Sequence, residues 1–568
     1  MTERAIGVAR RDITRLAHGV GMLGYVKEGN VVEGVGSPLY ARATVLKDLP
    51  GGRKVALASA ELCFITEAVK LGVVARLQAE HPEMGYDDAS VLLTATHTHS
   101  APGGYSRYAF YNASVPGFVP EVWETVVTGL VAAIAEADRR AVPGRVRLAA
   151  GEVAPDLPVA FNRAITAHNA NHDVQPKFGR HERHLAVDRE MTVLRLEAED
   201  GAPLGLVDWF SVHATSIHND NRLISGDNKG YAATAAEAAF GQGFVATFCQ
   251  GAAADVTPNY QTFPGRPFPC GKFADDFESA RYHGGVQAEV ALALYEAAGS
   301  APALEGPLDA AIMYVDMGDV TVDPAFAEGR TDCHTAPAAI GPRMLQGTAE
   351  GPGAPEPLGT AAKLAAQAYM ARLRLGAATA PGPLAARLRR KLEAHGNKPL
   401  FVETGEGKVL GSRRAIQLLP GVDQVVRYMQ AQHGLGDRGP WTPQVLPLQL
   451  VRLGSLAIAA LPAELTTQAG RRLKETIREA LGVDRVLLTC YANAYAGYVT
   501  TPEEYDVQAY EGASTHFGRW TLGAYQTEFR RLAQAMIAQP PERRGRLGLP
   551  APAFSEEELR RHVARPAR

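Results

Sequence analysis

Short runs of β-branched and aliphatic residues alternate with helical segments from one end of this chain to the other, and that alternation confines it to the mixed α/β class. Strands are read at Lys54–Ser59, Ser90–Thr96, Arg145–Ala150, Met191–Glu197, Leu204–Phe210, Gly243–Cys249, Leu308–Asp316, Leu448–Leu453, Leu456–Leu461 and Arg485–Thr489. Helices are read at Thr66–Glu80, Pro120–Arg139, Tyr231–Phe240, Gly284–Ala298, Leu465–Leu481 and Trp520–Ile537. No internal repeat is found at periods of about 20–50 residues, which excludes solenoids and propellers. The 568 residues allow about four ordinary units or one large domain with insertions.

Composition narrows the function classes. Lys+Arg 58 against Asp+Glu 61 leaves −3, so no basic excess exists to neutralise a phosphate backbone, and nucleic acid is not expected as a partner. The N-terminal stretch has no apolar run ending in a small-residue cleavage site. The longest apolar stretches, around Leu130–Ala135 and Leu456–Leu461, fall far short of the roughly 18 residues of a spanning helix. A cytoplasmic location without a transmembrane segment is the expectation. Cys63, Cys249, Cys270, Cys333 and Cys490 are scattered without a C-x-x-C pair, so reduced thiols are expected. Ala349–Leu358 and Gly376–Leu384 read as Gly/Pro-rich loops bracketing an Ala/Arg-rich helix, an insertion or flexible cover at 349–397. The tail Pro540–Arg568 reads as an arm ending in a short charged helix.

Five strings carry chemistry. In TATHTHSAPGGY, His97 and His99 sit at a strand end, where residues i and i+2 share a face, so both imidazoles can reach one metal or can pack as an ordinary pair. His213 follows an apolar strand in WFSVHATSIHNDN and fits an active-site rim, although a histidine taken alone in such a place is more often a satisfied one than a ligand. Asp227 and Asn228 of SGDNKGY read as caps of the following helix. In FCQGAAADVTPNY a strand runs into a small-residue turn that offers the Thr257 hydroxyl as a nucleophile or as a turn-forming side chain. In LPAELTTQAGRRLKE, Glu464 at a helix start can be a cap or an oxygen ligand. The tyrosine-dense NAYAGYVTTPEEYDVQAYEGASTHFG can supply a phenol to a metal or an oxyanion, or simply pack. The G-x-G-x-x-G within His18–Gly24 neither follows a strand nor opens a helix, and G-x-S-x-G, H-E-x-x-H and Walker strings do not occur.

In this order, GVARRDIT, MLGY, ATHTHSAPGGY, FNR, WFSVHATS, SGDNKGYA, ADVTPN, PAELTTQAGRRL and the tyrosine-dense string resemble the neutral ceramidase family, zinc amidases that release a fatty acid and a sphingoid base from ceramide. The resemblance covers about residues 1–535 and implies one α/β (mixed α+β) catalytic domain with mixed sheets flanked by helices. It implies zinc ligation by His97, His213, Glu464 and Tyr498 at the bottom of an apolar pocket. It implies site roles for His99, Arg163 and Tyr510, with Thr257 at the position of the family's nucleophilic hydroxyl.

Three departures bear on substrate. The family has serine at position 257, and the threonine methyl stiffens χ1 and crowds attack. Its GIH-x-R segment appears as GVGSPLYARA, with Gly36 for histidine and Pro38 for arginine. The C-terminal immunoglobulin-like domain of family members is not expected beyond the arm at 536–568. The expected substrate is therefore an amphiphilic N-acyl amide, ceramide or a ceramide-like lipid. The alternatives are another N-acyl amine, N-acyl amino acid or lipopeptide, or an inactive lipid-binding homologue. The sequence leaves the oligomeric state open, a homo-oligomer included.

Overall fold

The longer strands fall into two sheets that face each other, and four two-stranded pairs lie outside them. The computed structural model describes residues 3–27, 29–112, 115, 117–413, 439–540 and 547–553. The larger sheet contains β1 (Glu3–Asp12), β2 (Tyr40–Leu49), β3 (Lys54–Ala60), β4 (Val91–Ala95), β5 (Val142–Glu152), β6 (Glu190–Ala198), β7 (Pro203–Trp209) and β8 (Val245–Cys249) in the order β8-β7-β6-β5-β1-β2-β3-β4. The smaller contains β9 (Leu308–Asp316), β10 (Val445–Leu453), β11 (Leu456–Ala460), β12 (Arg485–Thr489) and β13 (Leu547–Gly548) in the order β12-β11-β10-β9-β13.

Alternation along each strand explains the layering. In β3, Val55 and Leu57 face the smaller sheet, whereas Ala56, Ala58 and Ala60 join the core beneath the helices. In β10, Leu446, Leu448 and Leu450 join the helix-side core, while Val451 and Leu453 face the larger sheet. Both faces of both sheets are thus buried, which is why the strands read as continuous apolar runs. Helices α1 (Glu67–Glu80), α2 (Pro120–Arg139), α3 (Asp227–Phe240) and α4 (Asp276–Ala298) cover the larger sheet. Helices α5 (Glu356–Thr379) and α6 (Gly382–His395) pack on each other, and α7 (Thr467–Leu481) and α8 (Thr521–Ala538) cover the smaller sheet. The result is a four-layer helix–sheet–sheet–helix sandwich, the mixed α/β architecture expected.

Four expectations need correction. The central strands β1 and β2 were not read, because ERAIGVARRD and YARATVLKDL carry arginines that obscure their apolar period. Those arginines are neutralised inside the fold: Arg4 meets Asp48 at 2.6 Å, and Arg42 pairs with Glu61 and Glu237. Helix α4 begins at Asp276 rather than Gly284, capped by the Asp275 side chain accepting from the Glu278 N–H at 2.8 Å. The loop expected at Gly376–Leu384 is helical except at 380–381. Asp227 and Asn228 are the first residues of α3 rather than caps before it, and Asp227 instead accepts from the Ser216 and Ile217 N–H groups at 3.2 and 2.9 Å, holding the loop after His213. Of the expected arm, Leu547 pairs with Met313 of β9, and the charged helix expected at its end lies outside the described residues. No helix among the described residues is long and apolar enough to cross a membrane.

Candidate active site

Three of the parallel strand pairs, β3 with β4, β7 with β8, and β11 with β12, each deliver site residues just past their C-terminal ends. Loops at that edge are the usual place for chemistry in such sheets, because the strand ends fix where the chain emerges. His97 follows β4, His213 follows β7, Thr257 follows β8, Glu464 follows β11, and Tyr491, Tyr495 and Tyr498 follow β12. Gln250 clasps these exits: its side-chain amide donates to the Thr96 and Val212 carbonyls, and its backbone carbonyl accepts from the Cys490 N–H at 3.1 Å. Trp209 of β7 donates its indole N–H to Thr489 of β12 at 2.8 Å, tying the two sheets together beside the site.

The two histidines of the T-H-T-H string meet for a reason other than strand pleat. Strand β4 ends at Ala95, the His97 N–H donates to Leu62 at 2.9 Å, and His97 adopts a left-handed φ of 68°. A non-glycine residue there stores strain, which the surrounding hydrogen bonds over-determine. The turn brings His99 Nε2 to 3.2 Å from His97 Nε2, while His99 Nδ1 has no hydrogen-bond partner. Gly24 of the MLGY string lies against that ring with φ 129°, and a Cβ on it would sit 2.4 Å from His99 Cγ.

His97, His213 and Glu464 each present one ligand atom, all within 4.8 Å of one another, and all three are buried. His97 Nδ1 lies 2.7 Å from the Cys63 carbonyl, and His213 Nδ1 lies 2.6 Å from the Ala253 carbonyl. A carbonyl only accepts, so each Nδ1 carries the proton and each Nε2 turns a lone pair inward, the arrangement that fixes metal-ligating imidazoles. His213 Nε2 has no hydrogen-bond partner and lies 3.4 Å from Glu464 Oε2; His97 Nε2 lies 3.6 Å from the same oxygen. Burial drives His97 toward its neutral form, down to about 3. Burial alone would raise the Glu464 carboxyl, but His97, His213 and the Tyr495 hydroxyl overcome it and hold the group ionised, down to about 2. Tyr491 also donates to Glu464, at 3.1 Å. Two inward lone pairs and one uncompensated buried carboxylate fit a borderline dication such as zinc.

Beside this centre Thr257 opens a second network. Val256–Thr257 pairs with Phe161–Asn162, which sets Arg163 next to Thr257. The Thr257 hydroxyl donates to Glu350 and accepts from the Asn259 N–H at 3.0 Å. Glu350 also accepts from Arg163 Nη1 at 2.7 Å and from the Asn259 amide at 3.1 Å. Burial would raise its carboxyl, yet Arg163, His213 and the Thr257 hydroxyl together hold it below its ordinary value. Arg163 also donates from Nε to Glu511 at 3.0 Å and from Nη2 to the Tyr498 oxygen at 3.4 Å. Burial outweighs Arg163 at Glu511, whose carboxyl is raised. Tyr510 stands edge-on to Tyr498, ring centroids 5.4 Å apart, with the Arg163 guanidinium 5.6 Å from its own ring centre. Tyr498 is the register partner of Glu464, and burial pushes its phenol well above the ordinary value.

A family model described as "Neutral/alkaline non-lysosomal ceramidase, N-terminal" matches residues 5–410 and 428–527. The chain belongs to that family. The neutral ceramidase of Pseudomonas aeruginosa is 36% identical over 94% of this chain and 72% of its own length. Neutral ceramidase B of Dictyostelium discoideum is 33% identical over 94% and 72%. A solved structure titled "Ceramidase complexed with C2" superposes with a TM-score of 0.77 at 33% identity, covering 95% of this chain and 76% of that one. Hydrolysis of ceramide is the function of the neutral ceramidase family. At Gly36, which stands against the histidine of the family's GIH-x-R segment, a Cβ would lie 2.7 Å from Cε1 of the half-buried Phe277 ring, which would have to shift to admit a side chain.

The structure brings His97, His99, His213 and Glu464 together, and Thr257, Arg163, Tyr498 and Tyr510 into the adjoining network. Glu464 forms a two-residue strand rather than a cap, and the cap of α7 is Thr466. Sequence reasoning missed Glu350, Glu511, Gln250 and the Glu464-bound Tyr491. Glu350 sits in the AEGPGAPEPL string, where Gly and Pro signal only a loop and nothing separates it from the second acid, Glu356.

Proposed function

We propose that this chain hydrolyses the N-acyl bond of ceramide or a ceramide-like lipid, releasing a fatty acid and a free sphingoid amine, with zinc held by His97, His213, Glu464 and Tyr498. The observation that carries the reading is the pair of Nδ1-anchored histidines whose Nε2 atoms lie 3.6 and 3.4 Å from one oxygen of the ionised Glu464. Zinc held by these residues would supply Lewis-acid polarisation of the amide carbonyl and would lower the pKa of a water toward ~7. Thr257 attacks the carbonyl carbon in this reading, and Glu350, which accepts from its hydroxyl, takes the proton. As the C–N bond breaks, His99 relays a proton to the departing amine. Arg163 and Tyr510 hydrogen-bond the substrate oxygens and the developing oxyanion. Water then hydrolyses the ester on Thr257 and restores its hydroxyl.

Mass spectrometry of an N-acyl amide panel, with and without chelator, tests the reading: chelator-sensitive release of sphingosine from ceramide is expected, and no chelator-sensitive hydrolysis of any amide defeats it. A trapped acyl group on Thr257 is expected as well, and a Thr257→Ala chain with near-normal turnover excludes the covalent route. The Gly36–Phe277 contact favours one second reading, the same reaction on an N-acyl amide with a different head group. In the same panel, ceramide turnover as fast as that of any other amide removes it.

A further inference from the structure

Behind the Thr257 network lies a second histidine–carboxylate cluster that the proposed chemistry does not use. His168, Asp255 and Glu504 offer ligand atoms within 4.8 Å of one another, and their exposures are 1%, 1% and 2%. Asp255 accepts from the Thr467 N–H at 2.8 Å and from the Asn162 amide at 2.7 Å. Glu504 accepts from the Thr501 N–H at 3.1 Å and from the Asn171 amide at 2.9 Å. These neutral donors leave both charges unbalanced: among the described residues neither carboxylate has an ion-pair partner. Both ring nitrogens of His168 are buried without any hydrogen-bond partner. Buried charges are ordinarily paired or metal-bound, and an imidazole with two idle nitrogens between two carboxylates is a costly arrangement unless something sits among them. Burial also pushes Glu504 up to about 8, with Asp255 adding to the rise, the direction expected when two acids crowd one site without a cation.

We propose that His168, Asp255 and Glu504 form a second, buried dication site, distinct from the His97 centre. One imidazole nitrogen with two carboxylate oxygens selects a borderline ion of the zinc class over calcium or magnesium, which take oxygen alone. A 2+ charge cancels the two carboxylates. The site joins the segments that carry Arg163, Thr257, Glu464 and Tyr498, so its ion acts as a clamp that positions the active site rather than as a reactant. This inference stands apart from the proposed amide chemistry, since it concerns ion content alone.

Anomalous diffraction at the zinc edge, from crystals of the full chain equilibrated with zinc chloride, tests it directly. A peak within bonding distance of His168, Asp255 and Glu504 is expected. A water molecule there, or a direct hydrogen bond from His168 to a carboxylate with no peak, overturns the proposal. In solution, the His97→Ala chain equilibrated with zinc and desalted should retain one zinc per chain by elemental analysis, and His97→Ala combined with His168→Phe should retain none. A folded His97→Ala chain without zinc, or a double variant that keeps it, overturns the proposal too; if the double variant does not fold, the anomalous map decides alone.

Discussion

The His97 centre and the Thr257 network adjoin, yet they are held by different means. At the His97 centre, backbone carbonyls fix both imidazoles and phenols fix the carboxylate, so position comes from strand exits that the two-sheet core makes rigid. At Thr257, position comes from side chains gripping side chains, with Arg163 buried between Glu350 and Glu511. The first arrangement leaves the His213 Nε2 lone pair without a partner beside an ionised carboxylate. The second stores net charge that is tolerable only while every partner is present. A substitution in the first should therefore cost function with little change in fold, and one in the second should cost both.

The largest effect should come from Glu464→Gln. Losing the one charge at the His97 centre should empty it of zinc and remove several kcal/mol of transition-state stabilisation, about 10³-fold or more in turnover. Elemental analysis with an amidase assay checks this, and an unchanged thermal midpoint would confirm that the centre is positioned by backbone. Arg163→Met should instead destabilise the fold by about 3–5 kcal/mol, because Glu350 and Glu511 remain buried without their cation. Both carboxyls then titrate above their unfolded values, so the folded state binds more protons than the unfolded one. The deficit should be full at neutral pH and shrink as pH falls through those raised values. Urea melts across pH would break the comparison if the loss were independent of pH.

Glu350→Gln keeps shape and most hydrogen bonds while removing the proton acceptor. The expected result is a fall in kcat of about 10²-fold, with zinc content and KM little changed. A parallel fall in zinc would mean that the two regions are one unit. Gly24→Ala probes the seam from the other side. The methyl would press on His99 at a left-handed φ, so a tenfold loss of turnover, about 1.4 kcal/mol, is expected with zinc retained.

Legibility followed the same division. His97, His213, Glu464 and Thr257 were readable because each lies just past an apolar strand, where a polar residue stands out against the run before it. Glu350 was not, since its partner Arg163 is 187 residues away in sequence and its own surroundings carry no period. The strands β1 and β2 were hidden by the same physics: a buried arginine looks like a surface residue until its acid, far along the chain, is placed beside it. The His97–His99 pairing was anticipated through the wrong geometry, because a left-handed turn, invisible in composition, replaced the pleat.

The smallest effect sharpens the contrast by moving the charge outward. Glu503 neighbours buried Glu504 but lies near the surface, where Arg472 meets it at 2.8 Å and Asp173 at 2.9 Å. Burial would raise the Glu503 carboxyl, and Arg472 overcomes it, leaving it at about 2. A folded value below the unfolded one, ~4.3, means that the pair stabilises the protein fully above about pH 5 and loses that contribution as pH falls toward 2. Solvent screening and competition from Asp173 limit the contribution, so Glu503→Gln should cost no more than about 1 kcal/mol at pH 7 and nothing at the acid end of that window. Salt should weaken it as well, since the pair lies within reach of counter-ions, whereas the Arg163 deficit should be indifferent to salt. Denaturant melts of both variants at low and high ionic strength measure the difference. Equal salt sensitivity would show that depth is not what separates the two networks.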